Sequence, residues 1–245
     1  MSIVKEVVLS RRERLRAETS HEIKAIALKL MAEGGPDAIS LRAIAREMGM
    51  TAGAIYGYFA TRDDLITTLI SDVYSDLVDT VEAARDSKQV SDAGGRLLAW
   101  GEAFREWAIT NPQGFRLIYG DPVNGYEPPE GGAAPEAAHR ACVGLTGLVA
   151  AVWPYAERTQ SNGDHRWPDF DPALVAVVRK SFPELPAAAV ALSLRVWGRM
   201  HGLVALEIYG HLGSQTQKPA KLYRAEMLDL LAALGVADAV NGRAR

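Results

Sequence analysis

The segment M-T-A-G-A-I-Y-G-Y-F-A-T-R, residues 50 to 62, combines very small residues with two tyrosines. On a helix, the small residues would let the backbone approach base edges, because the DNA major groove is only about 12 Å wide. Tyr56 and Tyr58 would stand at the groove rims, where a phenol hydroxyl donates a hydrogen bond to a phosphate oxygen. The segment therefore indicates a DNA contact. Its residues with little or no side chain are Ala52, Gly53, Ala54 and Gly57.

The sequence offers little support for catalysis. It contains no Ser/His/Asp or Cys/His set at a usable spacing, no glycine-rich phosphate loop and no paired carboxylates in apolar surroundings. His139 and His165 lack the spacing of metal ligands, and a single cysteine, Cys142, excludes an internal disulfide. We predict no catalytic residue, no metal and no cofactor. A helical enzyme or a ligand carrier that does not bind DNA is the alternative.

Two predicted helices precede the small-residue segment. Apolar residues at three- and four-residue steps predict a first helix over Glu22 to Met31, which Gly34-Gly35-Pro36 brings to an end. Ser40 is placed to cap a second helix with an apolar stripe at the same spacing. Gly49 ends that helix after about two turns.

A third short helix and a long fourth helix follow. Thr51 is placed to cap the third helix, which we expect to run to about Phe59 and to pack through Ile55 and Phe59. Thr61 and Asp64 form a capping box that opens the fourth helix. A supporting helix followed by two short helices and a glycine turn is a helix-turn-helix arrangement.

The stretch I-S-L-R-A-I-A-R-E-M-G-M-T-A-G-A-I-Y-G-Y-F-A-T-R-D-D-L, residues 39 to 65, resembles the DNA-binding domain of the TetR family of bacterial transcriptional regulators. Farther along, R-V-W-G-R-M-H-G, residues 195 to 202, is similar to the W-x-x-x-H-G signature of one class of TetR-family ligand-binding domains. Helix signals fill the chain and no strand is convincing, so we predict an all-α fold. We place a DNA-binding domain at residues 1–62 and a helical ligand-binding and dimerisation domain at residues 63–245.

The resemblance implies which residues meet DNA. The positions that the resemblance assigns to DNA contact include no Asn, Gln or Lys, and no arginine lies on the groove-facing third helix. We therefore expect specificity to depend on Arg42, thymine methyl groups and DNA shape. The resemblance also implies a repressor of transcription. The positions of this chain that match DNA-facing positions of the family are Arg42, Thr51, Ala52, Gly53, Ala54, Tyr56, Gly57, Tyr58 and Arg62.

Charge is distributed unevenly along the chain. Residues 1 to 62 carry a net charge of +3 and the remainder a net charge of −6, which fits a protein whose N-terminal part meets a polyanion. The basic run at Arg11, Arg12, Arg14 and Arg16 is interleaved with glutamates. Two interpretations of this run stay open, namely a solvated helix start and a flexible arm that touches phosphates or the minor groove.

The C-terminal part is rich in aromatic residues on predicted helices. Gly144, Gly198 and Gly202 would leave space between those helices, so a cavity for a small apolar or aromatic effector is one interpretation, and an ordinary packed core is the other. Two loops, residues 120–135, which are rich in proline and glycine, and residues 159–172, which are polar, could cover such a cavity or pack on the surface. The predicted lining residues are Trp100, Phe104, Trp107, Phe115, Tyr119, Trp153, Trp197, Met200 and His201.

The last two predicted helices suggest a homodimer. The family resemblance implies that they form a four-helix bundle across a two-fold axis, so that two recognition helices reach successive major grooves of a palindromic operator. The predicted interface residues are Ala188, Leu192, Arg195, Arg199, Leu222, Met227, Leu230 and Leu231.

The sequence predicts a protein of the cytoplasm. The N-terminal stretch carries Lys5 and Glu6 among its apolar residues, and the longest apolar run, Ala141 to Trp153, is shorter than the roughly 20 residues of a membrane span. The family resemblance implies three partners, namely double-stranded operator DNA, a small-molecule effector and a second copy of the chain.

Overall fold

The computed structural model describes residues 10–160 and 163–237. Within these ranges the chain is all α-helical, without strands, as the sequence predicted. One-turn 3₁₀ helices at Pro36–Ala38 and Trp167–Asp169 complete the regular structure. The helices are α1 (Arg11–Gly34), α2 (Leu41–Glu47), α3 (Ala52–Tyr56), α4 (Arg62–Asp86), α5 (Ala93–Thr110), α6 (Pro112–Tyr119), α7 (Pro135–Gln160), α8 (Pro172–Ser181), α9 (Ala187–Ile208) and α10 (Pro219–Ala233).

The chain divides into two compact units. The N-terminal unit contains the described residues up to Asp72 together with Gln113–Ala133, and the C-terminal unit contains Val73–Pro112 and the described residues from Ala134 onward. The predicted boundary between residues 62 and 63 remains a prediction. The N-terminal unit takes in the first part of α4, most of α6 and the loop that follows it.

Helix α1 begins well before the predicted start at Glu22. A capping box starts the helix at Arg11: the Ser10 hydroxyl accepts a hydrogen bond from the backbone N–H of Glu13, and the Glu13 carboxylate accepts one from the backbone N–H of Ser10. The helix ends at Gly34, and the C-cap residue Gly35 adopts φ 78° and donates its N–H to the Met31 carbonyl. The basic run from Arg11 is therefore helical.

The turn between α2 and α3 depends on glycine. Gly49 adopts φ 66°, and the N–H of Met50 reaches back to the Ala45 carbonyl at 2.8 Å, which closes the end of α2. Ser40 occupies the N-cap position of α2 but makes no capping hydrogen bond with its side chain, contrary to our expectation.

The third helix is shorter than predicted and the start of α4 is as predicted. The Thr51 hydroxyl caps α3 by accepting from the Ala54 N–H at 3.2 Å, and α3 ends at Tyr56, with Gly57 and Tyr58 continuing as a turn. Thr61 and Asp64 exchange two side-chain to backbone hydrogen bonds of 3.0 Å, so the capping box of α4 is confirmed.

The C-terminal unit has a core in which α9 packs against α5, α7 and α10. Tyr223 on α10 is buried and donates its phenol hydroxyl to the Gly101 carbonyl of α5 at 2.9 Å. Arg105 of α5 donates two hydrogen bonds, of 2.9 and 2.6 Å, to the carboxylate of Glu207 on α9. These polar contacts fix the register of α5 against its two neighbours.

The two predicted loops are partly helical. Helix α7 extends to Gln160, residues 161 and 162 lie outside the described part, and a 3₁₀ turn follows at Trp167–Asp169. Most of the loop at residues 120–135 belongs to the N-terminal unit. Among the residues that the structure describes, no helix is both long and apolar enough to cross a bilayer.

Candidate nucleic-acid interface

The surface of α3 presents its small residues to the outside. Thr51, Ala52, Gly53 and Ala54 are exposed, and a Cβ atom added at Gly53 would meet no heavy atom within 4 Å. On the opposite side, Ile55 and Phe59 are buried in the N-terminal unit, with 0% and 7% of their surfaces exposed. The helix therefore has one face for packing and one narrow, open face that fits a groove.

Tyr56 and Tyr58 flank the open face of α3. Tyr56 is 46% exposed and Tyr58 is half-buried, while Gly57 between them is exposed. A side chain of α1 meets this edge: the guanidinium of Arg16 donates to the Gly57 carbonyl at 2.7 Å and lies over the Tyr58 ring, 4.9 Å from its centroid. The end of α3 is thereby tied to α1.

The two arginines predicted to contact DNA, Arg42 and Arg62, have different environments. Arg42, the second residue of α2, is exposed. Arg62 is half-buried, and its guanidinium donates to two backbone carbonyls, that of Ile39 at 2.8 Å and that of Asn124 at 3.1 Å. Arg62 therefore joins parts of the N-terminal unit, which the resemblance did not imply. Any phosphate contact by Arg62 has to compete with those two carbonyls.

A segment at residues 121–126, from the loop after α6, packs on the helix-turn-helix. Val123 is buried, and the backbone N–H of Asn124 donates to the Asp37 carboxylate at 3.1 Å. The hydroxyls of Tyr126 and Thr67 are 2.9 Å apart and share a hydrogen bond. With the bond from Arg62 to Asn124, these contacts attach the 121–126 segment to the turn after α1 and to the start of α4.

The predicted pocket residues fall into both compact units. In the N-terminal unit, Phe115 is buried and Tyr119 is half-buried, with ring centroids 5.2 Å apart. Trp197, on α9 of the C-terminal unit, is 45% exposed and meets the His201 ring edge-on at 5.8 Å. The remaining predicted aromatic and sulfur-containing residues are buried in the core of the C-terminal unit: Trp100, Phe104, Trp107, Trp153 and Met200.

His201 on α9 lies between the buried ring of Phe104 on α5 and the exposed ring of Trp197 on α9. Its ring centroid is 6.1 Å from that of Phe104 and 5.8 Å from that of Trp197. Burial lowers the pKa of His201, because desolvation disfavours the charged imidazolium. The ring is therefore held in its neutral form at neutral pH, in which it can both donate and accept a hydrogen bond.

An open apolar groove of about 640 Å³ runs along the outer faces of α9 and α10. Gly198 and Gly202 lie one turn apart on α9, and a Cβ atom added at either would meet nothing within 4 Å. Leu206 and Leu222 line the groove and are each 42% exposed. A helix of another molecule could therefore approach the α9 backbone closely at this pair of glycines.

Family comparisons agree with this architecture. Residues 23–69 match the model described as "Bacterial regulatory proteins, tetR family", and residues 97–230 match the model described as "Tetracyclin repressor-like, C-terminal domain". The chain belongs to the TetR family of transcriptional regulators. Its helix-turn-helix is therefore the DNA-binding part of a regulator, and the protein is not an enzyme.

Similar proteins support the assignment along nearly the whole chain. HTH-type transcriptional regulator Rv1816 of Mycobacterium tuberculosis is 32% identical over 235 residues, which cover 92% of this chain and 96% of that protein. The regulatory protein SCO4313 has a solved structure with a TM-score of 0.70 and 33% identity, covering 91% of this chain and 100% of that one. The TetR-family regulator PfmR of Thermus thermophilus shares the fold, with a TM-score of 0.50, 17% identity and coverage of 91% and 99%.

Several predicted interface residues of this TetR-family chain face its own core. Leu192, Met227, Leu230 and Leu231 are only 1–3% exposed, because they form the inner stripes by which α9 and α10 pack against the rest of the C-terminal unit. Ala188 is half-buried. Arg195 is exposed, and half-buried Arg199 pairs with Glu226 at 2.5 Å. The apolar residues left on the outside of the two helices are Leu194, Trp197, Leu206, Tyr209, Leu222 and Leu228.

The three glycines predicted to leave space between helices of the C-terminal unit do not all create an interior cavity. A Cβ atom at Gly144 would stand 2.7 Å from the indole of Trp100, so the room that Gly144 provides is filled by that ring. Gly198 and Gly202 open to the outside instead. No group of three or more His, Cys, Asp or Glu side chains within residues 10–160 and 163–237 is arranged to hold a metal ion.

Sequence reasoning missed two sets of contacts within the DNA-binding unit of this regulator. The contact of Arg16 with the end of α3 had a signal, because the buried stripe of α1 at Ile23 and Ala27 continues backward at helical spacing to Arg16. The 121–126 segment had none, since its partners lie 59 to 87 residues earlier in the chain.

Proposed function

We propose that this TetR-family chain binds a palindromic operator as a homodimer, with α3 of each copy in the major groove, and represses transcription there until a small apolar or aromatic effector binds. The observation that carries the DNA contact is the division of α3 into two faces. Its small residues are exposed while Ile55 and Phe59 are buried. A helix that only packed within a protein would have no reason to expose a row of the smallest residues.

The proposed interface reads DNA with few strong base contacts. The exposed residues of α3 offer a threonine hydroxyl, methyl groups and backbone, so Arg42 is the side chain best suited to a bidentate contact with guanine. Tyr56 and Tyr58 position the helix by contacts with phosphates. Thymine methyl groups and the shape of the operator supply the remaining discrimination.

Dimerisation sets the spacing of the two recognition helices. Successive major grooves on one side of a duplex are about 34 Å apart, so a two-fold pair of α3 helices suits an inverted repeat. The exposed apolar residues of α9 and α10 and the Gly198–Gly202 pair supply a self-complementary surface for a four-helix bundle. This surface replaces the buried residues that we first assigned to the interface.

The effector site is proposed within the C-terminal unit, among the aromatics that surround His201. Phe104, whose ring centroid is 6.1 Å from that of His201, gives an apolar wall, and neutral His201 gives one group that can orient a polar atom of the effector. Release from DNA requires only that the effector bind more tightly to a conformation that does not fit the operator. Mass spectrometry of small molecules that co-purify with the protein identifies the effector directly.

DNA binding is tested by fluorescence anisotropy on duplexes from the promoter that flanks the gene of this protein. Wild type is expected to bind one duplex in the presence of competitor DNA, with an affinity that falls steeply as salt rises. Gly53→Glu adds a carboxylate to open space on α3, so the fold tolerates it while the groove does not; we expect at least about a hundredfold loss of affinity.

The matched control is Ala32→Glu, an exposed position on α1 of the same unit. This variant carries the same charge change and should bind within about threefold of wild type. Specific binding by Gly53→Glu at wild-type strength would exclude α3 as the recognition helix.

A further inference from the structure

The first two turns of α1 project beyond the buried core of the N-terminal unit. Every residue from Arg11 to Glu18 is exposed, and the first fully buried residue of the helix is Ile23. The capping box at Ser10 and Glu13 holds these turns in a helical conformation. A helical extension of this kind fixes the direction in which each side chain leaves the backbone, unlike a flexible arm.

The extension places two arginines on the face that looks toward α3. Counting back from the buried residues Ile23 and Ala27 at helical spacing leads to Arg16 and then to Arg12, one turn farther out. Arg16 confirms the direction of this face, since its guanidinium contacts Gly57 and Tyr58 at the end of α3. Arg12 therefore lies one turn beyond the Tyr58 edge.

The acidic residues of the extension do not cancel these charges. The Glu13 carboxylate is bound to the backbone N–H of Ser10 at 2.7 Å and is committed to the cap. Hydrogen bonding to Ser10 also lowers the pKa of Glu13, which keeps it ionised at the positive end of the helix. Glu18 lies about 160° from Arg16 and about 120° from Arg12 around the helix axis, at about 100° per residue.

We propose that Arg12 and Arg16 form a second DNA contact of this protein, a clamp on the phosphodiester backbone beside the groove that α3 enters. The inference rests on the proposed function, because it assumes that α3 meets duplex DNA. Arg16 is a positioning residue that holds the Gly57–Tyr58 edge, with its charge next to the phosphates that Tyr58 meets. Arg12 contacts a phosphate directly and adds affinity without reading sequence.

The test measures operator affinity as a function of salt for wild type and Arg12→Ala. Each lost phosphate contact lowers the slope of log K against log salt by about 0.9, so the dimeric variant should lose about 1.8. Between 50 and 200 mM salt, the wild type would then lose about tenfold more affinity than the variant. The ratio of affinities for the operator and for an operator with one changed base pair should stay the same.

Two control variants separate the clamp from general charge and from folding. Arg158→Ala removes an exposed arginine of the C-terminal unit and should keep the wild-type slope. Arg16→Gln retains a donor for the Gly57 carbonyl but loses the charge, so it should fold normally and show a reduced slope. Arg16→Lys should keep most of the slope but bind more weakly, because lysine has no planar group to lie over Tyr58.

Ethylation interference locates the contact on the DNA. We expect one or two phosphates per half-site whose ethylation weakens wild type but not Arg12→Ala. Specific binding by wild type with an unchanged slope and footprint in Arg12→Ala would overturn the clamp and leave the proposed function standing. Absence of specific binding by wild type to any duplex would instead remove the proposed function itself.

Discussion

At the scale of single residues, Arg62 shows how one side chain can serve folding where the family pattern implies DNA contact. The guanidinium satisfies the carbonyls of Ile39 and Asn124, which lie 23 and 62 residues away in sequence. A charged donor that pairs with the partly buried carbonyl of Ile39 contributes more than a surface ion pair does, and the bond to Asn124 is exposed. Arg62 is therefore expected to affect stability before it affects DNA affinity.

We predict that Arg62→Ala destabilises the DNA-free protein by about 1 to 2 kcal/mol, since two carbonyls lose their donor. Urea denaturation followed by circular dichroism measures the change. Arg42→Ala, at an exposed position, is the control and should stay within about 0.5 kcal/mol of wild type. Equal stability of Arg62→Ala and wild type would show that water replaces the guanidinium at no cost.

His201 gives a prediction about pH. Burial lowers its pKa in the folded state, so below about pH 6.5 the unfolded chain takes up a proton that the folded chain resists. The contribution of His201 to stability is complete above that pH and is lost as the pH falls through the window below it. We expect the free energy of unfolding to fall from about pH 7 to about pH 5, and less steeply in His201→Asn.

The comparison variant for this experiment is His139→Asn, which changes an exposed histidine on α7 in the same way. It should retain the wild-type pH dependence. An identical fall of stability in His201→Asn would mean that other groups cause the acid sensitivity.

At the scale of elements, the α2–α3 turn fixes how the recognition helix leaves its support. Gly49 has a positive φ, which a residue with a Cβ atom adopts only at a cost. The Met50 to Ala45 hydrogen bond that closes α2 requires that conformation. The geometry of the whole helix-turn-helix therefore depends on one residue without a side chain.

Gly49→Ala is predicted to destabilise the protein by about 1 kcal/mol and to weaken operator binding beyond that, because α3 would be tilted. Nothing lies within 4 Å of a Cβ atom at this position, so the loss comes from backbone strain and not from a clash. Gly49→Asn, which tolerates the left-handed region better, should recover part of both losses in melting and anisotropy measurements. Equal losses in both variants would argue against strain as the cause.

Local sequence signals predicted the helices of the N-terminal unit well. The buried spacing at Ile23 and Ala27, the Thr51 cap and the Thr61–Asp64 box are all present, because each is determined by residues within one or two turns. Helix α3 ends earlier than expected since Gly57 lies inside the predicted span and favours turns.

Signals that depend on distant packing were not readable from sequence. Both sides of α10 carry leucines, with Leu222 and Leu228 outside and Leu230 and Leu231 inside, so apolar type alone did not tell an interface from a core. Tyr223 and Met227 recur with those inner leucines at helical spacing, which marks the buried face of α10. This pattern could have been read from the sequence. The attachment of residues 121–126 left no such pattern.

At the scale of the whole molecule, the exposed faces of α9 and α10 are the surface best suited to self-association. Six large apolar side chains are exposed there, beside two glycines that leave the α9 backbone open. Exposed apolar area of this kind marks interaction sites in soluble proteins. A two-fold interface suits it, because the same helices supply both sides.

We predict that Gly202→Leu converts the proposed dimer to a monomer while leaving the fold intact, because a Cβ atom at this position meets nothing within 4 Å and the rest of the leucine fills the groove. Size-exclusion chromatography with light scattering measures the mass. Operator affinity should fall by about a hundredfold or more, since a monomer binds only one half-site and loses the advantage of binding both half-sites at once.

Ala83→Leu is the matched control, an exposed alanine on α4 enlarged to the same side chain. It should remain a dimer with wild-type affinity. A Gly202→Leu protein that stays dimeric at micromolar concentration would place the interface on another surface.

The attachment of residues 121–126 has a consequence for building hybrid regulators. A DNA-binding module cut after the start of α4 would leave behind Val123, Asn124 and Tyr126, and with them the partners of Asp37, Arg62 and Thr67. Exchanging the first 72 residues between relatives therefore transfers an incomplete module. A chimera that also carries 113–133 from the same donor should be the more stable of the two.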